Sequence, residues 1–121
     1  MNDLNKSDKL GRYIYSKHHY RPSNNTVRHT AFMPPPDRQL SIFIISGLNE
    51  EDIWSIGENL RNLKLLGRAD IITNHVYKIE LNIQVDNNPP RHANIINWPK
   101  ENSAIKLKAM ELAQNAILQL K

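Results

Sequence analysis

Residues 40 to 54 read LSIFIISGLNEEDIW and join an apolar run to the start of a helix. Residues 40 to 45 are almost continuously apolar and are bounded by Ser46 and Gly47, which predicts a strand that is covered on both faces and central in its sheet. Asn49 is a predicted helix N-cap, and the three acidic residues after it favour the positive end of a helix dipole. The stretch therefore predicts a buried strand followed directly by a helix.

Two amphipathic helices are predicted. In the first, apolar residues recur at spacings of three and four: Ile53, Ile56, Leu60 and Leu63. Gly67 is the predicted C-cap of this helix. The second helix is predicted over residues 101 to 120, where Ile105, Ala109, Leu112, Ala116 and Leu120 form one apolar stripe. We expect both stripes to pack in the core.

The most regular pattern lies at residues 75 to 85, where apolar and polar residues alternate. A period of two over eleven residues predicts a long strand with one face open to water, with His75 as a core histidine on the apolar face. Residues 69 to 73 and 93 to 97 are candidates for shorter strands. The chain is therefore predicted to be α+β, with a small, mostly antiparallel sheet of three or four strands and two amphipathic helices packed on one face.

Length and composition limit the classes of protein to which the chain can belong. With 121 residues, of which 40% are hydrophobic, it is expected to form a single domain over residues 1 to 121. It has no cysteine, so it contains no disulfide, and we expect a cytoplasmic location. No apolar run is long enough to span a membrane. We expect no metal, because no histidine or carboxylate spacing predicts a site, and we expect no cofactor.

The positive charge of the chain is concentrated at its N-terminal end. The formal net charge is +4, and all of this excess lies in residues 1 to 40, where tyrosines and histidines are interleaved with the basic residues. Such a surface is typical of proteins that bind phosphate groups or nucleic acid, although a solvated arm explains the charge equally well. Residues 1 to 20 are accordingly expected to belong to the domain or to form a flexible basic arm.

Two Arg-His pairs are the candidate ligand-binding residues. Arg28 and His29 lie in the basic third, while Arg91 and His92 follow two prolines that restrict the backbone. Arg68 is a further candidate for holding phosphate. Guanidinium groups grip phosphate with two hydrogen bonds, and imidazoles exchange protons near neutral pH. The structural alternative is that Pro89-Pro90 ends a strand while Arg91 pairs with a carboxylate such as Asp70 or Glu80.

Several blocks together resemble a known family. The blocks are AFMPPP (31 to 36), SGLNEEDIW (46 to 54), GRAD (67 to 70), PPRHANI (89 to 95) and NWP (97 to 99). Taken in this order, they resemble a family of short, stand-alone bacterial proteins of unknown function. The resemblance implies a bacterial origin and a single domain, and it implies no particular activity.

Three functions remain open from the sequence. The first is binding of a phosphate-containing ligand, a nucleic acid or a nucleotide, through the basic third together with Arg91 and His92. The second is a protein-interaction or accessory subunit that contacts a protein partner through residues 31 to 36 and the wet face of residues 75 to 85. The third is a metal-free phosphodiester hydrolase or phosphotransferase, which requires the two Arg-His pairs to share one pocket. Whether the protein is an enzyme is left open.

Overall fold

The computed structural model of the chain describes residues 4 to 121 and shows an α+β fold. The strands of this part of the chain are β1 (Lys9–Ile14), β2 (Tyr20–Arg21), β3 (Thr26–Val27), β4 (Leu40–Ile44), β5 (Gly67–Ile72), β6 (Asn82–Val85), β7 (His92–Ile96) and β8 (Ile117–Leu120). The helices are α1 (Glu50–Leu60), α2 (Thr73–Lys78) and α3 (Asn102–Asn115), with short 3₁₀ helices at Lys17–His19 and His29–Phe32. Within residues 4 to 121, no helix has the length and apolar character needed to cross a bilayer.

Six strands form one antiparallel sheet in the order β6-β7-β4-β1-β5-β8, and β2 pairs with β3 separately. The predicted α+β class and antiparallel sheet are confirmed. The predicted number of three or four strands is too low. The two additional strands are β1 and β8, which lie in segments that the sequence patterns assigned to an arm and to a helix.

The strand predicted from LSIFII is central, as expected. β4 lies between β7 and β1, and its alternate side chains enter different clusters on the two faces of the sheet. Leu40 and Ile42 pack on one face, while Phe43 packs on the other. Because both faces are covered, almost every position of this strand has to be apolar.

Residues 9 to 14, which lie in the segment predicted to belong to the domain or to form a flexible basic arm, are the neighbour of β4 at the centre of the sheet. β1 pairs with β4 on one side and with β5 on the other. Leu10 and Ile14 are fully buried. Lys9, Gly11 and Arg12 interrupt the apolar alternation of this strand, so its sequence does not display the usual pattern. Residues 9 to 14 are therefore part of the core.

The helices pack on both faces of the sheet, so the prediction that they share one face is wrong. Ile105 and Leu112 of α3 lie in the same cluster as Leu10 and Ile14. Ile53 of α1 lies in the cluster on the opposite face. The alternation of side chains along β1 and β4 requires this arrangement, because each face carries large apolar side chains that need a cover.

The long strand predicted over residues 75 to 85 is wrong in its first part. Thr73 and Val76 are buried three residues apart on helix α2, and only residues 82 to 85 form a strand. The carbonyl of Ile79 accepts a hydrogen bond from Lys108 Nζ of α3. Glu80 then adopts a positive φ of 66°, which turns the chain into β6. Packing against α3 thus overrides the alternating pattern.

Both predicted helices are shorter than expected. α1 begins as predicted, since Asn49 Oδ1 accepts a hydrogen bond from the Asp52 backbone N–H, but it ends at Leu60. Gly67 is not its C-cap. Gly67 begins β5, where a Cβ atom would lie 2.6 Å from the Gln119 carbonyl oxygen. The last residues of the chain form β8 against β5, so the second helix ends at Asn115.

Gly57 of α1 allows the helix to approach the sheet, and Gly57→Ala is expected to destabilise the protein. A Cβ atom at this position would lie 2.5 and 2.6 Å from two atoms of the Tyr13 ring and 2.9 Å from a Leu65 methyl carbon. Overpacking of this kind costs about 1–3 kcal/mol, whereas alanine in place of glycine in an open helix stabilises by ~1 kcal/mol. Urea unfolding measures the change.

Ser55→Ala, on the exposed side of the same helix, is the control for Gly57→Ala. It is expected to change the free energy of unfolding by less than about 0.5 kcal/mol. A Gly57→Ala protein that is as stable as wild type, or more stable, would show that α1 does not pack this closely on Tyr13.

Candidate functional site

A cavity of about 260 Å³ opens beside the centre of the sheet, on the face covered by α1. We call it the Arg12 pocket. Its lining residues come from β1 and β4, the segment after β1, and the end of α1: Arg12, Tyr13, Tyr15, Ser16, His19, Ser41, Phe43, Leu60, Arg61 and Leu63. Three of these side chains are basic and none is acidic. The pocket therefore has a positive electrostatic character.

Arg12 occupies the end of the pairing between β1 and β4. The register of these strands runs through Leu10↔Ile44 and Gly11↔Phe43, and Arg12 is the next residue of β1. Its Nε donates to the Ala31 carbonyl oxygen at 2.8 Å, and its Nη1 donates to the Ser41 carbonyl oxygen at 2.9 Å. These two carbonyls fix the guanidinium group at the wall of the pocket.

The charge of Arg12 is not compensated by a carboxylate of the described residues. Burial, as the larger cause, and repulsion from Arg61 together lower the pKa of Arg12 to about 10, while Tyr15 acts in the opposite direction. The two carbonyl oxygens accept from Nε and Nη1, two of the nitrogens that share the five N–H donors, and supply only partial negative charge. An anion in the pocket would supply the missing charge.

Arg61 and Tyr15 form the outer wall of the pocket. Arg61 is the first residue after α1, and its guanidinium carbon lies 5.7 Å from the centre of the Tyr15 ring. The Tyr15 hydroxyl donates to the Gly57 carbonyl oxygen, which ties this wall to α1. Arg61 is exposed, so its side chain is free to reorient toward a bound ligand.

His19 is the third basic group of the pocket. It ends the 3₁₀ helix Lys17–His19, whose first turn is capped by Ser16 Oγ accepting from the His18 N–H. Burial lowers the pKa of His19, and the charges of Arg12 and His18 act in the same direction. Its Nδ1 atom is buried and has no hydrogen-bond partner within residues 4 to 121. A bound anion would favour the protonated ring.

Ser41, His92 and Asp86 form a hydrogen-bonded chain that ends at the Arg12 pocket. Ser41 Oγ lies 2.7 Å from His92 Nε2, and His92 Nδ1 lies 2.7 Å from Asp86 Oδ1. The hydrogen bond from His92 lowers the pKa of Asp86, and the Asn88 N–H contributes to the same shift. Ser41 is the member of this chain that lines the pocket.

The five residues predicted from the sequence do not form one site. His92 lies beside the Arg12 pocket through its contact with Ser41. Arg28 is exposed, and His29 lines a different cavity together with Met110 of α3. That cavity is on the face of the sheet opposite to the His92 side chain. The two Arg-His pairs therefore do not share a pocket.

Arg68 is buried in an ion-pair network. Its Nη1 and Nη2 donate to the two carboxylate oxygens of Glu50, each at 3.0 Å, and its Nε donates to Asp70 at 2.9 Å. The Trp54 ring lies 4.6 Å from the guanidinium carbon. Burial acts to lower the pKa of Arg68, but the hydrogen bonds to the two carboxylates raise it. Its charge is already compensated within the protein.

Arg91 is hydrogen-bonded to the backbone of the protein. Its Nη1 donates to the carbonyl oxygens of Ile44 at 3.2 Å and Ser46 at 2.8 Å. The expected alternative, a pair with Asp70 or Glu80, is not formed. Pro89, Pro90 and Arg91 also line a cavity of about 490 Å³ that is shared with α1 and with Phe43 of β4.

The residues that sequence reasoning missed are Arg12, His19, Ser41, Arg61 and Asp86. Ser41 had one local signal, because it is the only polar residue in the run of residues 40 to 45. Asp86 had none, because it meets His92 only through the pairing of β6 with β7. Residues 4 to 121 contain no group of three or more histidine or carboxylate side chains arranged to hold a metal.

Arg68 and Arg61 are expected to differ in their effect on stability. Arg68→Ala leaves the buried Asp70 without its partner, and removing one member of a buried ion pair costs about 3–5 kcal/mol. Arg61→Ala removes an exposed side chain and is expected to change the free energy of unfolding by less than ~0.5 kcal/mol. Urea unfolding of both variants measures this, and equal losses would contradict the assignment of Arg68 as structural.

The chain matches no protein-family model. Comparisons with curated proteins and with solved structures found no match either. The resemblance to a family of short bacterial proteins therefore stays a prediction, and the function is argued from the pocket itself.

Proposed function

We propose that the protein binds a small phosphate-containing ligand, such as a nucleotide, in the Arg12 pocket. The observation that carries this proposal is the charge of Arg12. Its guanidinium is held in the pocket wall by two carbonyls, beside Arg61 and His19, and no described carboxylate pairs with it. A phosphate group supplies both the negative charge and the oxygen acceptors that these side chains lack.

Comparison of Arg12 with Arg68 supports the choice of an anion. Arg68 is buried and Arg12 is partly buried on strands of the same sheet, but Arg68 has two carboxylate partners and Arg12 has two neutral ones. Placing a cation away from water is unfavourable unless a counter-charge is close. The unfavourable free energy of holding the Arg12 cation in this position is explained if the ligand supplies the negative charge.

The size of the pocket favours a small ligand. Its volume of about 260 Å³ is just below the range that drug-sized molecules occupy. A phosphate group with part of its substituent fits this space, while the remainder of a larger molecule extends past Arg61 toward solvent. Such a site suits the terminal phosphate of a nucleotide better than the continuous backbone of a nucleic acid.

Inorganic phosphate is expected to stabilise the wild-type protein against heat. At ten times its Kd, a ligand that binds only the folded state stabilises it by about 1.4 kcal/mol, which raises the Tm of a domain of this size by roughly 3–6 °C. Arg61→Ala removes one of the cations and is expected to abolish most of this rise. Differential scanning calorimetry with and without phosphate, at constant ionic strength, measures the effect.

Arg28→Ala is the matched control for Arg61→Ala. Both changes remove one exposed arginine and the same net charge, but Arg28 does not line the pocket. Its Tm rise with phosphate is expected to equal that of wild type. If the two variants respond alike, the effect of phosphate is general charge screening, and the proposed site is wrong.

The affinity for sulfate is expected to rise as the pH falls from about 8 to 5. Sulfate keeps its charge of −2 over this range, so a change in affinity reports the protein. The pKa of His19 is lowered in the free protein, and a bound anion raises it, so binding takes up a proton. Isothermal titration calorimetry measures the affinities. His19→Asn should flatten the pH dependence, and His29→Asn, in the other cavity, should leave it intact.

A further inference from the structure

We propose that Ser41 is a nucleophile that attacks the phosphorus atom of a phosphate ester bound in the Arg12 pocket. This inference rests on the proposed binding of a phosphate-containing ligand, and it adds a reaction to it. The structure carries it through the hydrogen-bonded chain from Ser41 to His92 and Asp86 and through the position of Ser41 in the wall of a cationic pocket.

The hydrogen bonds determine the direction in which a proton can move. An ionised carboxylate only accepts hydrogen bonds, so His92 Nδ1 carries a proton and donates it to Asp86 Oδ1 at 2.7 Å. In the neutral ring, Nε2 is then the acceptor, and Ser41 Oγ donates to it at 2.7 Å. His92 is therefore placed as a general base for the Ser41 hydroxyl, with Asp86 as a positioning residue.

The backbone positions of Ser41 and His92, the first two members of the hydrogen-bonded chain, are fixed by strand pairing. Ser41 and His92 lie on the paired strands β4 and β7, where His92 stands opposite Phe43. The Phe43 ring and the imidazole pack in an edge-to-face arrangement, with centroids 5.3 Å apart and an angle of 70° between the ring planes. Asp86 is fixed in turn by the Asn88 N–H, which donates to its Oδ1. Rigid placement is what a nucleophile and its base need.

The cations of the pocket favour a phosphoryl group as the electrophile. Arg12 Nη1 donates a hydrogen bond to the backbone carbonyl of Ser41. A guanidinium group is therefore in contact with the residue that carries the hydroxyl. Arg61 lines the same cavity. Two guanidinium groups match the negative oxygens of a phosphoryl group, whose charge spreads further in the transition state.

The reaction balances with water as the second reactant. Ser41 Oγ forms a bond to phosphorus while the bond from phosphorus to the alcohol oxygen breaks. His92 Nε2 takes the proton of Ser41 and gives it to the departing alcohol. Water then attacks the phosphoserine, His92 takes its proton, and the Ser41 oxygen recovers a proton as the phosphate leaves. Asp86 stays ionised throughout.

A fluorophosphonate probe tests the nucleophile directly, because an activated serine displaces its fluoride and keeps the phosphonyl group. We expect the probe to add one group to the wild-type protein, which peptide mass spectrometry locates on Ser41. Ser41→Ala should stay unlabelled. Ser55→Ala removes an exposed serine of α1 that does not line the pocket, and it should be labelled like wild type. Inorganic phosphate should slow the labelling.

Asp86→Asn tests whether Ser41 is labelled because His92 activates its hydroxyl or only because the probe can reach it. This change keeps the size of a half-exposed side chain but removes the charge that holds His92 in the donating tautomer. We expect labelling of Ser41 to slow by at least about tenfold. Circular dichroism and calorimetry confirm that the variant is folded. Equal labelling of wild type and Asp86→Asn, or labelling of Ser16 in place of Ser41, overturns the proposal.

Turnover separates this inference from the proposed binding function. We expect Ser41-dependent release of p-nitrophenol from p-nitrophenyl phosphate or bis(p-nitrophenyl) phosphate. Phosphate binding without labelling or turnover overturns the nucleophile and leaves the binding site intact. Labelling with turnover of p-nitrophenyl acetate alone overturns the phosphate ester as the substrate. If the wild-type protein neither binds phosphate nor is labelled, both proposals are overturned.

Discussion

The structure depends on the need to cover both faces of its central strand pair, β1 and β4. Leu10 and Ile42 point to one side of the sheet and Tyr13 and Phe43 to the other. Each side is then an apolar surface that requires a helix. Helix α3 covers the first side, and α1 covers the second. The short connection after β4 delivers α1 to its face, and Gly57 allows it to approach closely enough to touch Tyr13.

The Arg12 pocket follows from the same arrangement. α1 ends at Leu60, before it has covered the whole of its face, and Tyr13 and Tyr15 bind its carbonyl groups with their hydroxyls. Polar side chains of β4 and β7 occupy the uncovered part, where a continuous helix would otherwise bury them. A site of this kind lies at the boundary between a packed face and an open one, so it combines rigid support with access for a ligand.

Sequence patterns predicted the elements whose residues are uniform in character. The apolar run of β4 and the cap of α1 at Asn49 depend on residues that are close in sequence, so the sequence alone predicts both. β1 was not readable, because Arg12 is a charged residue in a strand and is accommodated only by carbonyls from distant segments. Residues 75 to 81 alternate in polarity, yet they fold as a helix and a turn because α3 offers a surface to Val76 and Ile79.

The candidate site also depends on contacts between residues that are distant in sequence, and these contacts could not be predicted. His92 is a candidate in the sequence because of its place after two prolines, whereas its side-chain partners lie fifty-one and six positions away. Arg68 was selected as a phosphate ligand, but Glu50 and Asp70 occupy its donors. A single sequence does not state which cations are already paired. That distinction, which separates Arg12 from Arg68, comes only from the tertiary structure.

The position of β1 also shapes how the chain folds. Lys9 stands opposite Ile72, so the first strand of the sheet obtains one of its two neighbours only from a segment far along the chain. Contacts between such distant residues require a large loss of loop entropy before they contribute stability, and a high contact order slows folding. During synthesis, β1 can pair with β4 early, but the centre of the sheet stays open on one side until β5 has left the ribosome.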